Sequence, residues 1–175
     1  MFIQTIKNTN FTEVDKLIYN TFIHSKYGYR NESELVNKIR KSKNYVSELE
    51  LVALNDSKQI IGYGLLSEVN IVKNCQNFVG LILAPLAVFS DNQGKEVGDI
   101  LLTLLEYRAK KLGYNYISIL DHTTYSPRFG YEPASKYQIK APFKTLDKLF
   151  KIKYLTSSGF DNIVSGTLQY SKAFK

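Results

Sequence analysis

Apolar positions along the chain alternate between two spacings, and the switches between them outline the elements. "FIQTI" predicts a short first strand. In "FTEVDKLIYNTFIHS", Val14, Leu17, Ile18 and Phe22 recur every three or four residues, predicting a helix with Thr12 as its N-cap. "NESELVNKIRKS" repeats that spacing at Leu35, Val36 and Ile39 and predicts a second helix. "SELELVALND" and "KQIIGYGLLSEVNIV" read as two strands of a hairpin turned at "NDSK". "NFVGLILAPLAVF" is nearly all apolar, as a central strand covered on both faces requires. Pro85 interrupts it; without an N–H it cannot donate to a ladder, so it predicts a bulge or a loss of pairing there.

The strongest periodicity follows. Val97, Ile100, Leu101, Leu104, Leu105 and Leu112 form one stripe, Arg108, Lys110 and Lys111 sit where cations suit a helix end, and Gly113 reads as its stop. "YNYISIL" is the next strand, parallel to the central one if the helix is a crossover. "DHTTYSPRFGYEPA" reads as a loop or short helix ended by Gly130 and Pro133. "FKIKYL" alternates Phe150, Ile152 and Tyr154 against Lys151 and Lys153, and "IVSGTLQY" reads as the last strand. The order β-α-α-β-β-β-α-β-(α)-β-β predicts one mixed α/β domain over residues 1–175, with no repeat and no linker.

Composition narrows the class. With 175 residues, 44% hydrophobic and 22% charged, the chain suits a globular protein with one core. Cys75 is the single cysteine, so no internal disulfide forms and a reducing, cytoplasmic setting is expected. No signal peptide and no membrane-length apolar run is seen. The net charge of +7 invites a nucleic-acid reading, but the lysines are spread along the sequence, so a solvated basic surface is favoured over nucleic acid. Such a surface also suits an anionic small ligand. No His, Cys and carboxylate cluster has ligand spacing, so no metal is expected.

The chemistry centres on "LAPLAVFSDNQGKEVGDILLTLL". A strand, a polar loop and a helix start present unpaired N–H groups at a positive dipole end, a ready anion cradle. Here the donors are the amides of Gln93 to Gly98, with a carboxylate, Glu96, in their midst.

The stretches "LAPLAVFSDNQGKEVGDILL", "LGYNYISIL" and "YSPRFGYEPA", in that order, resemble the GNAT superfamily of N-acetyltransferases. They most resemble its bacterial subgroup with a "PLAV…QGKGIG…RFGF.PA" series, and "GTLQYSKAF" resembles that subgroup's last strand. The resemblance implies a mixed sheet of about seven strands flanked by about four helices, splayed between two parallel central strands that end at Phe89 and Leu120. It implies acetyl-CoA as acyl donor, held by Leu86, Ala87 and Val88 on the strand and by Gln93, Gly94, Lys95, Glu96, Val97, Gly98 and Asp99 at the turn. The implied reaction is direct attack of a primary amine, on a small molecule or a peptide, upon the thioester. A main-chain N–H stabilises the oxyanion and an acid protonates the leaving thiolate.

Two positions depart from the pattern. Glu96 stands where the family has its central glycine. At about 6 Å and an effective dielectric near 20, its charge would oppose a phosphate by roughly 3 kcal/mol, less where water screens it. If the side chain points outward it simply suits the helix dipole. Ser126 stands where the family has its acidic tyrosine, between Tyr125 and Pro127. Tyr125 as acid, Ser126 as water-linked relay, and no acid at all stay open. His122, after the strand ending at Leu120, is a candidate base; Glu68 is a second, acting through water; His24 and Cys75 read as structural. The alternative keeps the fold without the chemistry: a degenerate relative that binds CoA or another partner. A homodimer is compatible with the sequence but not specified by it.

Overall fold

The computed structural model describes residues 1–23, 25, 28–92, 96–120, 129–156 and 165–174. They contain three α-helices and nine strands, two of only two residues, in the expected mixed sheet with its parallel central pair. Two compact units divide the chain: Met1–Ser67 with Ala84–Arg108, and Glu68–Leu83 with Ala109–Lys175. Strands β3 (Ile60–Lys73) and β4 (Gln76–Val88) run through both.

In the first unit, β1 (Phe2–Thr5) pairs antiparallel with β2 (Glu50–Leu54), and β2 pairs with the first half of β3 as the expected hairpin. Helices α1 (Phe11–Ile23) and α2 (Glu32–Arg40) bury Val14, Leu17, Ile18, Val36 and Ile39 of the expected stripes, while Phe22 and Leu35 are half-buried. Thr12 is not the N-cap of α1. A 3-10 turn at Asn8–Asn10 leads in, with the Lys7 N–H donating to Asn10 Oδ1 at 3.1 Å, so the helix starts at Phe11.

Helix α3 (Val97–Lys111) lies against β3 at two glycines. A Cβ at Gly62 would stand 2.7 Å from Val97 Cγ1 and 2.9 Å from Leu101 Cδ1, and one at Gly64 would stand 2.9 Å from Leu105 Cδ1. The i, i+4 ridge of the helix therefore rests on strand main chain, and alternate glycines on one strand face make room for it. This seating corrects the expected stripe: Val97, Leu101, Leu102, Leu105 and Ala109 are buried, whereas Ile100 and Leu112 are 41% and 46% exposed. Gly113 ends the helix as expected. At φ 86° it donates to Lys110 O, while the Tyr114 N–H reaches back to Ala109 O, both at 3.1 Å.

The other face of β2 and β3 carries a polar cluster that the pattern did not announce. Glu50 is fully buried. Its Oε1 accepts from Arg40 Nε at 2.9 Å, Arg40 Nη2 at 2.6 Å and the Tyr63 hydroxyl at 2.7 Å; its Oε2 accepts from the Tyr45 hydroxyl at 2.6 Å. A buried carboxylate is tolerable only when paired and hydrogen-bonded, and here both oxygens are. Burial, reinforced by Glu50, pushes the phenols of Tyr45 and Tyr63 well up.

In the second unit, the far half of β3 pairs antiparallel with β9 (Gly166–Tyr170), and β5 (Tyr116–Leu120) pairs parallel with β4. β8 (Phe150–Tyr154) pairs antiparallel with β5 along its whole length. The unexpected strands are β6 (Glu132–Pro133), antiparallel to β8, and β7 (Ile139–Lys140), parallel to β9. At two residues each they are too short to show a period, and Pro133 lies within β6. Segment 140–148 contains no α-helix and ends in a 3-10 turn at Asp147–Leu149, so Lys140, Lys144 and Lys148 share no helix face. Lys151 is only 8% exposed rather than solvated. Burial also raises the Tyr116 phenol strongly and pushes Tyr154 up to about 12.

Two outcomes follow. Gly62→Ala should cost about 1–3 kcal/mol in urea unfolding, because the added methyl meets β-branched Val97; an unchanged midpoint would contradict the close seating of α3. Raised phenols stabilise the fold fully below about pH 10, where a free tyrosine ionises, and that stabilisation drains as pH rises toward their folded values. Phenolate absorbance of the buried tyrosines should therefore appear together with loss of circular dichroism; titration near pH 10 with the fold intact would refute it.

Candidate active site

The parallel ladder between β4 and β5 is short. Its register pairs are Leu81↔Ile117 and Ile82↔Ser118, whereas β4 continues through Leu83–Val88 and β5 through Ile119–Leu120. The fully buried Ser118 adds a side-chain tie at this last rung, its Oγ donating to Leu81 O at 3.0 Å. The loss of pairing expected around Pro85 is present, and the Ala84–Pro85 peptide is cis.

Beyond the ladder, β4 follows its other neighbour. The Phe89 N–H donates to Ile61 O of β3 at 3.0 Å. Since main-chain groups of a strand alternate in direction, the N–H groups of Leu86 and Val88 point to the opposite edge of β4. Ala87 is buried, and Leu86 and Val88 are half-buried. Thr21 of α1 donates from Oγ1 to Leu17 O at 2.8 Å and to Val88 O at 3.3 Å, fixing the end of β4 beneath that helix.

After β4 comes a 3-10 turn at Ser90–Asn92, closed by the Asn92 N–H on Phe89 O at 2.8 Å. Gln93, Gly94 and Lys95 lie outside the described residues. Glu96 is exposed, its carbonyl accepts the first helical bond from the Ile100 N–H at 2.9 Å, and its φ is 60°. It is thus the N-cap of α3, held in the left-handed region. That φ gives a physical reason for glycine at this position in the family pattern, since only glycine takes it without steric cost. The N–H groups of Val97 and Gly98 precede the first helical bond and have no acceptor within the helix. Val97 is packed over Gly62 and Gly98 is buried, while Asp99 is half-buried in the first turn.

His122, Tyr125, Ser126 and His24 also lie outside the described residues. Glu68 is half-buried on β3, where its Oε1 accepts the Tyr114 hydroxyl at 2.6 Å, so one carboxylate oxygen is engaged. Cys75 is exposed in the turn between β3 and β4, where Asn74 and Cys75 have φ of 46° and 63°. Sequence reasoning missed Ser118, Thr21 and the glycine pair. Only the last left a signal, the alternate glycines of "GYG" in an otherwise apolar strand. Among the described residues, no helix is long and apolar enough to cross a membrane.

No family profile matches the chain. Its sequence is 29% identical over 109 residues to the uncharacterized N-acetyltransferase YjhQ of Escherichia coli strain K12; the match takes in 62% of this chain and 60% of YjhQ. It is 28% identical over 126 residues to the uncharacterized N-acetyltransferase YhbS of the same strain, 72% of this chain and 74% of YhbS. The fold matches the crystal structure of Escherichia coli YhbS, a GNAT family N-acetyltransferase in complex with CoA. There the TM-score is 0.84 at 24% identity, over 99% of this chain and 91% of that one. A GNAT family acetyltransferase from Brucella melitensis in complex with acetyl-CoA matches with a TM-score of 0.79 at 21% identity, over 99% and 97% of the two chains. The fold of these GNAT acetyltransferase structures therefore extends along nearly the whole chain, and the sequence is similar to two proteins named N-acetyltransferase.

Proposed function

We propose that residues 1–175 act as one acetyl-CoA-dependent N-acetyltransferase that acylates a primary amine of a small molecule or a peptide by direct attack. The observation that carries this reading is the ladder that stops at Ile82↔Ser118 while β4 runs on to Val88. Strand main chain that has, among the described residues, no strand partner on the β5 side is what an extended amide-bearing arm needs. The CoA and acetyl-CoA complexes of the two fold relatives support the same reading.

Acetyl-CoA, when bound, supplies an activated thioester carbonyl. The N–H groups of Leu86 and Val88, turned to the edge of β4 away from β3, donate to the pantetheine amides or to the oxyanion. Ala87 between them stays packed in the core. The N–H groups of Gln93 to Gly98, at the positive end of α3, receive the pyrophosphate, with Lys95 adding charge and Asp99 standing in the first turn. Glu96 keeps its carboxylate in solvent, so its cost is chiefly conformational. Tyr125 serves as the acid for the departing thiolate, Ser126 as a water-linked relay and His122 as base toward the incoming ammonium. A thiolate with an ordinary pKa near 8.5 leaves with modest help, so loss of the family tyrosine is survivable.

Acetyl-CoA at millimolar concentration should raise Tm, and release of free thiol should depend on an added amine. A Tm unmoved by acetyl-CoA would end the reading, whereas binding without thiol release from any amine would leave a CoA-binding relative without catalysis. Tyr125→Phe should lower kcat about a hundredfold and remove the alkaline limb of the pH–rate profile; an unaltered profile removes Tyr125 from the mechanism. Glu96→Gly should relieve about 1 kcal/mol of left-handed strain and raise Tm by about 2–4 °C, with tighter acetyl-CoA binding. Glu96→Gln keeps the Cβ and should give neither gain; equal gains from both variants would assign the effect to charge instead.

A further inference from the structure

We infer that the β7–β9 edge of the second unit is a docking surface for single-stranded nucleic acid. The basic excess looks dispersed along the sequence, but the fold gathers it. The first unit contains eleven Lys and Arg against eleven Asp and Glu, and the second contains twelve against five. The whole formal +7 therefore belongs to the second unit.

Within the second unit the charge concentrates further. Segments 133–146 and 165–174 contain Lys136, Lys140, Lys144 and Lys172 and no Asp or Glu, with Lys136 engaged by the neighbouring Glu132. The parallel pairing of β7 with β9, Ile139↔Gly166 and Lys140↔Thr167, brings the two segments together. Lys140, Lys144 and Lys172 are exposed, and none of them enters an ion pair among the described residues. Between them in sequence stand rings already in mutual contact. Phe143 and Tyr170 have centroids 5.9 Å apart, and Tyr170 stacks on Phe174 at 4.8 Å and 26°. Phe143 remains 42% exposed.

Cations beside an exposed ring fit a partner whose charges and flat faces alternate. Phosphates meet the lysines, and an unpaired base stacks on Phe143. A duplex hides its base faces, which favours a single strand. An acidic protein fits less well, because its carboxylates meet the lysines but it offers no flat base to stack on the exposed Phe143 ring.

The test is fluorescence anisotropy with a labelled single-stranded oligonucleotide of mixed sequence across a salt series. Three lysine–phosphate contacts predict a log K against log salt slope of about −2. The triple variant Lys140→Gln, Lys144→Gln, Lys172→Gln should flatten that slope and weaken binding at low salt at least tenfold. Phe143→Ala should weaken binding about tenfold with the slope unchanged. Both variants should keep the Tm shift caused by acetyl-CoA, so failure here is distinguishable from failure of the acetyltransferase reading. No binding at low salt would overturn the inference. So would tighter binding of a duplex, or displacement by poly-glutamate as readily as by unlabelled oligonucleotide with Phe143→Ala silent.

Discussion

β4 and β5 share only a brief parallel ladder, and the candidate site depends on why it is brief. Each strand is committed elsewhere. β5 is paired with β8 from Tyr116 to Leu120, so its course is set on that side. β4 is bound to β3 at its far end through the Phe89 N–H, and a proline stands on the stretch between. The two can satisfy each other only where these commitments coincide, at Leu81–Ile82 against Ile117–Ser118. A buried serine hydroxyl on the Leu81 carbonyl secures that last rung. Losing further rungs costs unpaired main-chain groups, which is tolerable where a ligand or water takes the vacant bonds.

The second requirement is a helix start at a fixed height along β4. Side chains at Gly62 and Gly64 would hold α3 off the sheet, and their lack lets the Val97–Leu101–Leu105 ridge rest on the main chain. The head of the helix is thereby fixed against β3, the same strand that receives the end of β4. Strand edge and helix terminus are thus referenced to one element. Glu96 departs from local consistency at the site: a side chain in a conformation that favours none, at the mouth of the turn. Non-glycine residues held in such conformations cluster at functional sites, where surrounding structure enforces them.

Much of this was legible in the sequence. The order of the long elements, the crossover helix and its stop at Gly113, and the lost pairing at Pro85 all follow from periodicity and from the chemistry of proline and glycine. What was not legible has physical causes. β6 and β7 are two residues long, below the length at which alternation means anything. Ile100 and Leu112 match the helical period but lie off the ridge, because two glycines set a narrow seat. Glu50 has no signal of its own in the sequence, because its burial depends on Arg40, Tyr45 and Tyr63, remote in the pattern, converging on it. The basic excess looked diffuse because residues far apart in sequence are gathered only when β7 and β9 pair.

The most direct measurement is amide hydrogen exchange along β4, free and with saturating acetyl-CoA. The account predicts slow exchange at Leu81 and Ile82 in both states, and faster exchange at Leu86 and Val88 that slows on adding ligand, along with the amides opening α3. Equal, slow exchange along the whole of β4 in the free protein, unchanged by ligand, would mean that the strand is fully paired and offers no edge to an acyl carrier.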